Sequence, residues 1–149
     1  MGEALDALKH AYTIYDSHDK QALRDRWSEA FHDDAEFVVP FGTFHGQEIF
    51  MLWDSFIDAF PDVTHTIVSA TEGDGVVAAE AQWAGTHDGP LQMPDGNVAP
   101  PTGRSFVLPY AHFGWVKDGK FTAWHVYFNP ASMMQQLGLI PEPEAAATT

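Results

Sequence analysis

At Pro61-Asp62 the hydrophobic pattern changes its period, and this change limits the folds open to the chain. Before it, apolar residues recur every three or four positions, and after it they recur every second position. Leu5, Leu8, Tyr12 and Tyr15 predict a first helix over residues 4–16. Ser17-His18-Asp19 interrupts it, and Asp19 can cap a second helix over 20–31 with Leu23, Trp27 and Phe31 on one stripe. Residues 35–41 predict a strand that Pro40 confines to an edge or a bulge, followed by a loop over 42–46. Ile49, Phe50, Trp53, Phe56 and Ile57 predict a third helix over 47–59.

Beyond the switch, strands are predicted over 63–71, 76–87, 104–116 and 120–129. Gly73-Asp74-Gly75 and Asp118-Gly119 carry hairpin-turn chemistry. A loop rich in glycine and proline spans 88–103, and a short helix closes the pattern over 130–139. Helices followed by a meander of strands define an α+β class rather than alternating βαβ units. No repeat or linker divides the chain, so one domain over 1–141 and a disordered tail over 142–149 are expected.

The charge balance narrows the partners. Asp and Glu number 21 against 7 Lys and Arg, a net charge of −14. Such a surface repels phosphate backbones and anionic lipid, so neither nucleic acid nor membrane is an expected partner. There is no cysteine, and the first nine residues lack a basic start followed by an apolar run. A cytoplasmic location is therefore expected. The eight histidines include no His-x-His or His-x-x-x-His pair, so no metal site is expected.

Alternation assigns faces. Ala79, Ala81, Trp83, Gly85 and His87 share one face, as do Phe106, Leu108, Tyr110 and His112, and Val63, His65 and Ile67. In the last strand His125, Tyr127 and Asn129 share a face, opposite Trp124, Val126 and Phe128. Both faces of that strand are apolar, so both should be covered, one by the helices and the other by a second copy. A homodimer through the outer sheet face is therefore expected, the alternative being a sheet that curls enough to bury both faces itself. The inward set is expected to form an apolar pocket dotted with polar groups, a small-molecule site. Candidate ligand contacts are Trp83, Tyr110, Tyr127 and His65, with Trp53 and Phe56 from the third helix and Val39 at the rim.

Five stretches in order carry a resemblance: "AFPDVTHTI" (59–67), "WAGTHDGPL" (83–91), "PPTGRSF" (100–106), "VKDGKFTAWHVYFN" (116–129) and "QQLGLIP" (135–141). Together the sequence resembles the SnoaL-like polyketide cyclases of the nuclear transport factor two-like superfamily. The resemblance implies a cone: a curved antiparallel sheet against three N-terminal helices, commonly dimeric through the outer sheet face. It implies cofactor-independent intramolecular aldol chemistry, or a related proton transfer, on an apolar oxygenated small molecule. The family's acid–base aspartate aligns with Asn129, and an amide cannot take a proton at neutral pH. His125, on the same face, is the expected substitute base, with His112 and His87 as further candidates. The alternative is a binding domain that kept the cone and lost the base. The ketosteroid isomerase pattern is not supported, because its aspartate position reads Val39-Pro40. Nor is the epoxide hydrolase triad, because Arg104 sits in the ordinary "PPTGR" stretch.

Overall fold

Helices give way to strands where the pattern changes period. The computed structural model describes residues 2–93 and 95–141, so the expected tail lies outside the described residues. Helices α1 (Glu3–Tyr15), α2 (Lys20–Asp25) and α3 (Trp27–Ala30) come first. Strands β1 (Phe31–Val39) and β2 (Gly42–His45) follow, then a single 3-10 turn and helix α4 (Ile49–Ala59). The meander comprises β3 (Thr64–Gly73), β4 (Val76–Thr86), β7 (Ser105–Lys117) and β8 (Lys120–Tyr127). Between β4 and β7 lies a small ribbon of β5 (Leu91–Gln92) and β6 (Val98–Ala99). Helix α5 (Pro130–Gln136) closes the fold.

The six long strands form one sheet in the order β2-β1-β8-β7-β4-β3. The α+β class is as expected, but β1 runs parallel to β8, so the sheet is mixed and not wholly antiparallel. No short hairpin joins these two strands, so nothing local fixes their direction. The expected second helix is also shorter. It breaks at Arg26, and Phe31 opens β1. There Phe31 packs with Trp27, Phe37 and Trp53, with ring centroids 4.5, 5.3 and 5.7 Å away.

Pro40 does not mark an edge strand, because β1 lies inside the sheet between β2 and β8. Pro40-Phe41 forms the two-residue link between the paired Val39 and Gly42, and the expected loop over 42–46 is mostly the edge strand β2. Asp19 caps α2 as expected, accepting from the amides of Gln21 and Ala22. The two Asp-Gly turns have positive φ at both residues, 53° and 75° at Asp74-Gly75 and 55° and 78° at Asp118-Gly119. That is the backbone of a tight hairpin whose twist matches its strands.

The core lies between the helices and the concave sheet face. Leu8, Ile14, Phe37, Ile49, Phe60, Phe106 and Phe121 are almost wholly buried in it. β7 alternates along its whole length, with Phe106, Leu108, Tyr110 and His112 inward. β8 does not. Trp115 pairs with Ala123 and Val116 with Phe121, so Thr122 is an extra residue, a β-bulge. Phe121 points inward before the bulge, and after it the inward residue is Trp124.

Candidate functional site

Helices α1 and α4, strands β1, β3, β4, β7 and β8, and the segments after β1 and β8 enclose a cavity of about 70 Å³. Tyr12 and Tyr15 reach it from α1, and Leu52, Trp53 and Phe56 from α4. The sheet contributes Val39, His65, Trp83, Tyr110, Trp124 and Val126, and Phe41 and Phe128 close the rim. Its wall is aromatic and apolar, with one imidazole and three phenols as the polar exceptions, the composition of a small-molecule site.

His65 is held on several sides. Its ring stacks on Tyr12 at 5.1 Å and Trp83 at 6.3 Å and meets the Tyr15 ring edge-on at 4.7 Å. Asp16, the C-cap of α1, binds it twice. One carboxylate oxygen accepts from the His65 backbone amide at 3.0 Å, and the other from Nδ1 at 2.6 Å. A carboxylate only accepts, so Nδ1 carries a proton, and in the neutral form of the ring Nε2 presents the lone pair. Among the described residues the hydrogen bonds of His65 are these two, and neither uses Nε2.

Beside this pair runs a buried polar chain. The Tyr110 hydroxyl donates to the Tyr12 oxygen at 2.5 Å, and Tyr12 lies 3.1 Å from Nδ1 of His112. Burial raises both phenol pKa values above the ordinary range, so both rings stay protonated and serve as donors. Burial also pushes His112 down to about 3, which keeps its imidazole neutral. A neutral imidazole has one N–H. Nε2 of His112 is buried without a partner. With the ring proton on Nδ1, the imidazole donates to the Tyr12 oxygen, which then accepts twice and leaves its own proton to point toward the cavity; with the proton on Nε2, Nδ1 accepts from the Tyr12 hydroxyl.

The structure gathers six of the expected site residues around the cavity: His65, Trp83, Tyr110, Trp53, Phe56 and Val39. His112 is inward but stands behind Tyr12, with its ring 4.0 Å from that of Trp124. His87 is buried at the end of β4, where Nδ1 accepts from the Thr102 amide and faces its hydroxyl. It latches the "PPTGR" loop to the sheet, and burial lowers its pKa. The Arg104 guanidinium from the same loop packs against Gly138, after α5.

Two expected site residues fall on the wrong face. His125 and Tyr127 point outward, because the bulge at Thr122 reverses the alternation of β8. His125 donates from Nε2 to Glu36 at 2.8 Å and packs on Trp115, and Tyr127 is half exposed. Asn129 lies beyond β8 as the N-cap of α5, where Oδ1 accepts from the Ala131 amide. Asp16 is the functional candidate that strand alternation missed. It is 49 residues from His65 and lies outside the strand pattern.

A SnoaL-like domain profile matches residues 8–124. No curated protein sequence matches the chain significantly. Solved structures resemble it across nearly its whole length. A candidate SnoaL-like polyketide cyclase from Jannaschia sp. CCS1 superposes with a TM-score of 0.78 at 16% identity, covering 93% of this chain and 94% of that one. AclR, a candidate hydroxylase from Streptomyces galilaeus, gives 0.76 at 18% identity, covering 95% and 89%. IdmH, a candidate polyketide cyclase from Streptomyces antibioticus, gives 0.74 at 23% identity, covering 92% and 99%. At these identities the likeness is one of fold.

Proposed function

The chain belongs to the SnoaL-like domain family, and from that premise we propose that it catalyses acid–base proton transfer on an apolar, oxygenated small molecule, of the kind that closes a ring by aldol addition. The observation that carries this reading is the Asp16–His65 pair, which offers a basic Nε2 beside a buried phenol in an apolar cavity.

In this reading Nε2 of His65 removes a proton from a carbon next to a carbonyl. The C–H electron pair becomes an enolate, whose oxygen accepts from the Tyr12 hydroxyl. The enolate carbon bonds to a second carbonyl carbon of the same molecule. The alkoxide so formed takes back the proton from Nε2. Protons and electrons balance without an added cofactor. Asp16 fixes the ring and stabilises its charged form, as a carboxylate does for a catalytic histidine.

Proton transfer is testable without the natural substrate. In D2O, 2-acetylnaphthalene should exchange its methyl protons faster with the protein than with buffer, as read by NMR. The gain should vanish in His65→Ala. Binding without exchange would favour the alternative of a binding domain.

We infer further that the outer sheet face meets a second copy. Phe113, Trp115 and Tyr127 stand exposed on adjacent positions of β7 and β8, with the Phe113 and Tyr127 rings 6.2 Å apart. Among the described residues no helix is long and apolar enough to cross a membrane.

A further inference from the structure

A histidine–carboxylate pair sits on the outer sheet face, away from the cavity. His125 lies on β8, opposite Val38 of β1 and Phe113 of β7. Its Nε2 donates to Glu36 at 2.8 Å, so Nδ1 is the atom left to take a second proton. The two side chains are 22% and 44% exposed, so a surface laid over them would remove water from both. The Trp115 ring, 4.7 Å from the imidazole, adds an attraction for its charged form.

The groups around the pair offer no fixed positive charge. Phe113 and Trp115 of β7 and Tyr127 of β8 flank the ring. Glu80 lies two strands away on β4, opposite Ala111. His45 of β2 stands opposite Glu36 and is 3.9 Å from Glu48, and Asp33 and Asp34 lie toward the far end of β1. Through the sheet is His112, which burial keeps neutral. The strands of this sheet carry no arginine, and their lysines, Lys117 and Lys120, stand at the Asp118-Gly119 turn. A protonated His125 is therefore the charge that can balance Glu36. In a chain of net charge −14, two copies meet best where a carboxylate is already balanced.

We propose that the second copy inferred for the outer face, on which this reading rests, binds together with protons: the protein assembles at mildly acidic pH and comes apart as pH rises. A histidine changes charge near neutral pH. With His125 neutral, each copy buries the uncompensated charge of Glu36, and a symmetric dimer brings two such charges to one interface. With His125 charged, each pair is neutral as a whole. Covering the pair thus favours the charged ring, and by linkage one proton taken up per copy tightens the contact. The gain is complete in acid and is lost as pH rises through the titration of the covered ring.

Sedimentation equilibrium at about pH 6 and about pH 8 reads the dimer Kd, in about 0.3 M salt to screen the general repulsion of two acidic chains. With a proton taken up by each copy, the parent Kd should be at least about tenfold lower at the acidic value. His125→Gln keeps a donor for Glu36 but cannot charge, so its Kd should differ by less than about twofold between the two. Glu36→Gln removes the charge to be balanced and should dimerise more tightly than the parent at the alkaline value. Circular dichroism checks that both variants stay folded. Calorimetric dilution of the parent in two buffers of different ionisation enthalpy counts the protons released on dissociation, with no variant needed. An equal parent Kd at both pH values, a pH dependence that survives in His125→Gln, or dissociation without proton release would overturn the proposal and leave the dimer standing. A parent that is monomeric at both pH values would remove the second copy itself, and the proton link with it.

Discussion

Asp16 grips His65 by both its backbone amide and its ring nitrogen, at 3.0 and 2.6 Å. The end of α1 is thereby tied to the start of β3, and the imidazole has one orientation. A base fixed in this way has little rotational freedom to lose on reaction.

Removing the base should therefore be costly. His65→Ala is expected to lower ketone proton exchange by roughly 10²- to 10⁴-fold, the usual contribution of a positioned base. Asp16→Asn should produce a smaller loss with the fold retained, because its amide oxygen can still accept from one N–H. Exchange rates by NMR and circular dichroism check both. Unchanged rates in both variants would remove the pair from the mechanism.

The Tyr12 hydroxyl is expected to stabilise the enolate. Tyr12→Phe should slow exchange by roughly 10²- to 10³-fold, as loss of an oxyanion donor does. It also leaves Tyr110 and His112 unpaired, so urea denaturation should show a loss of about 1–3 kcal/mol. Tyr110→Phe, which keeps the Tyr12 donor, should affect the rate less than Tyr12→Phe does.

Acid should weaken the fold through His112. An unfolded histidine titrates near 6.5, and burial holds the folded one down to about 3. Between those values the unfolded chain binds a proton that the native chain refuses. The contribution of His112 is thus complete above about pH 6.5 and is lost as pH falls toward 3. Relative to His112→Phe, the parent should lose about 2 kcal/mol between pH 6.5 and 5. Unfolding curves that stay parallel over that window would contradict a neutral buried imidazole.

Asn129 should behave as a helix cap. Asn129→Ala is expected to cost about 0.5–2 kcal/mol of stability, and Asn129→Asp much less, since a carboxylate caps equally well. Thermal or urea unfolding of the two variants distinguishes this from a role in proton transfer.

Trp115→Glu should split a dimer built on the outer sheet face. Trp115 is partly exposed, so the protomer should stay folded by circular dichroism. Sedimentation should show the parent at twice the mass of the variant. A parent that sediments as a monomer at micromolar concentration would remove the second copy.

The sequence exposed the order of elements because the period of its apolar residues is a local property. Leu8 and Tyr12 lie on a helical stripe, and Tyr110 and His112 on a strand face, without knowledge of anything distant. His65, Trp83 and Tyr110 were legible for that reason. His125 and Tyr127 were misplaced because alternation assumes an unbroken strand, and the bulge at Thr122 breaks it. The parallel pairing of β1 with β8 and the reach of Asp16 to His65 depend on long-range packing, which leaves no periodic trace.

In the gene, the bulge at Thr122 is a single triplet. Phe121 and Trp124 face inward on either side of it, so its in-frame loss is expected to leave a regular strand with Trp124 and Val126 still on the cavity wall and His125 and Tyr127 still outside. Straightening the strand with every residue kept would instead turn an imidazole and a phenol inward. A lineage on this scaffold can therefore shed this codon and keep the wall of its pocket.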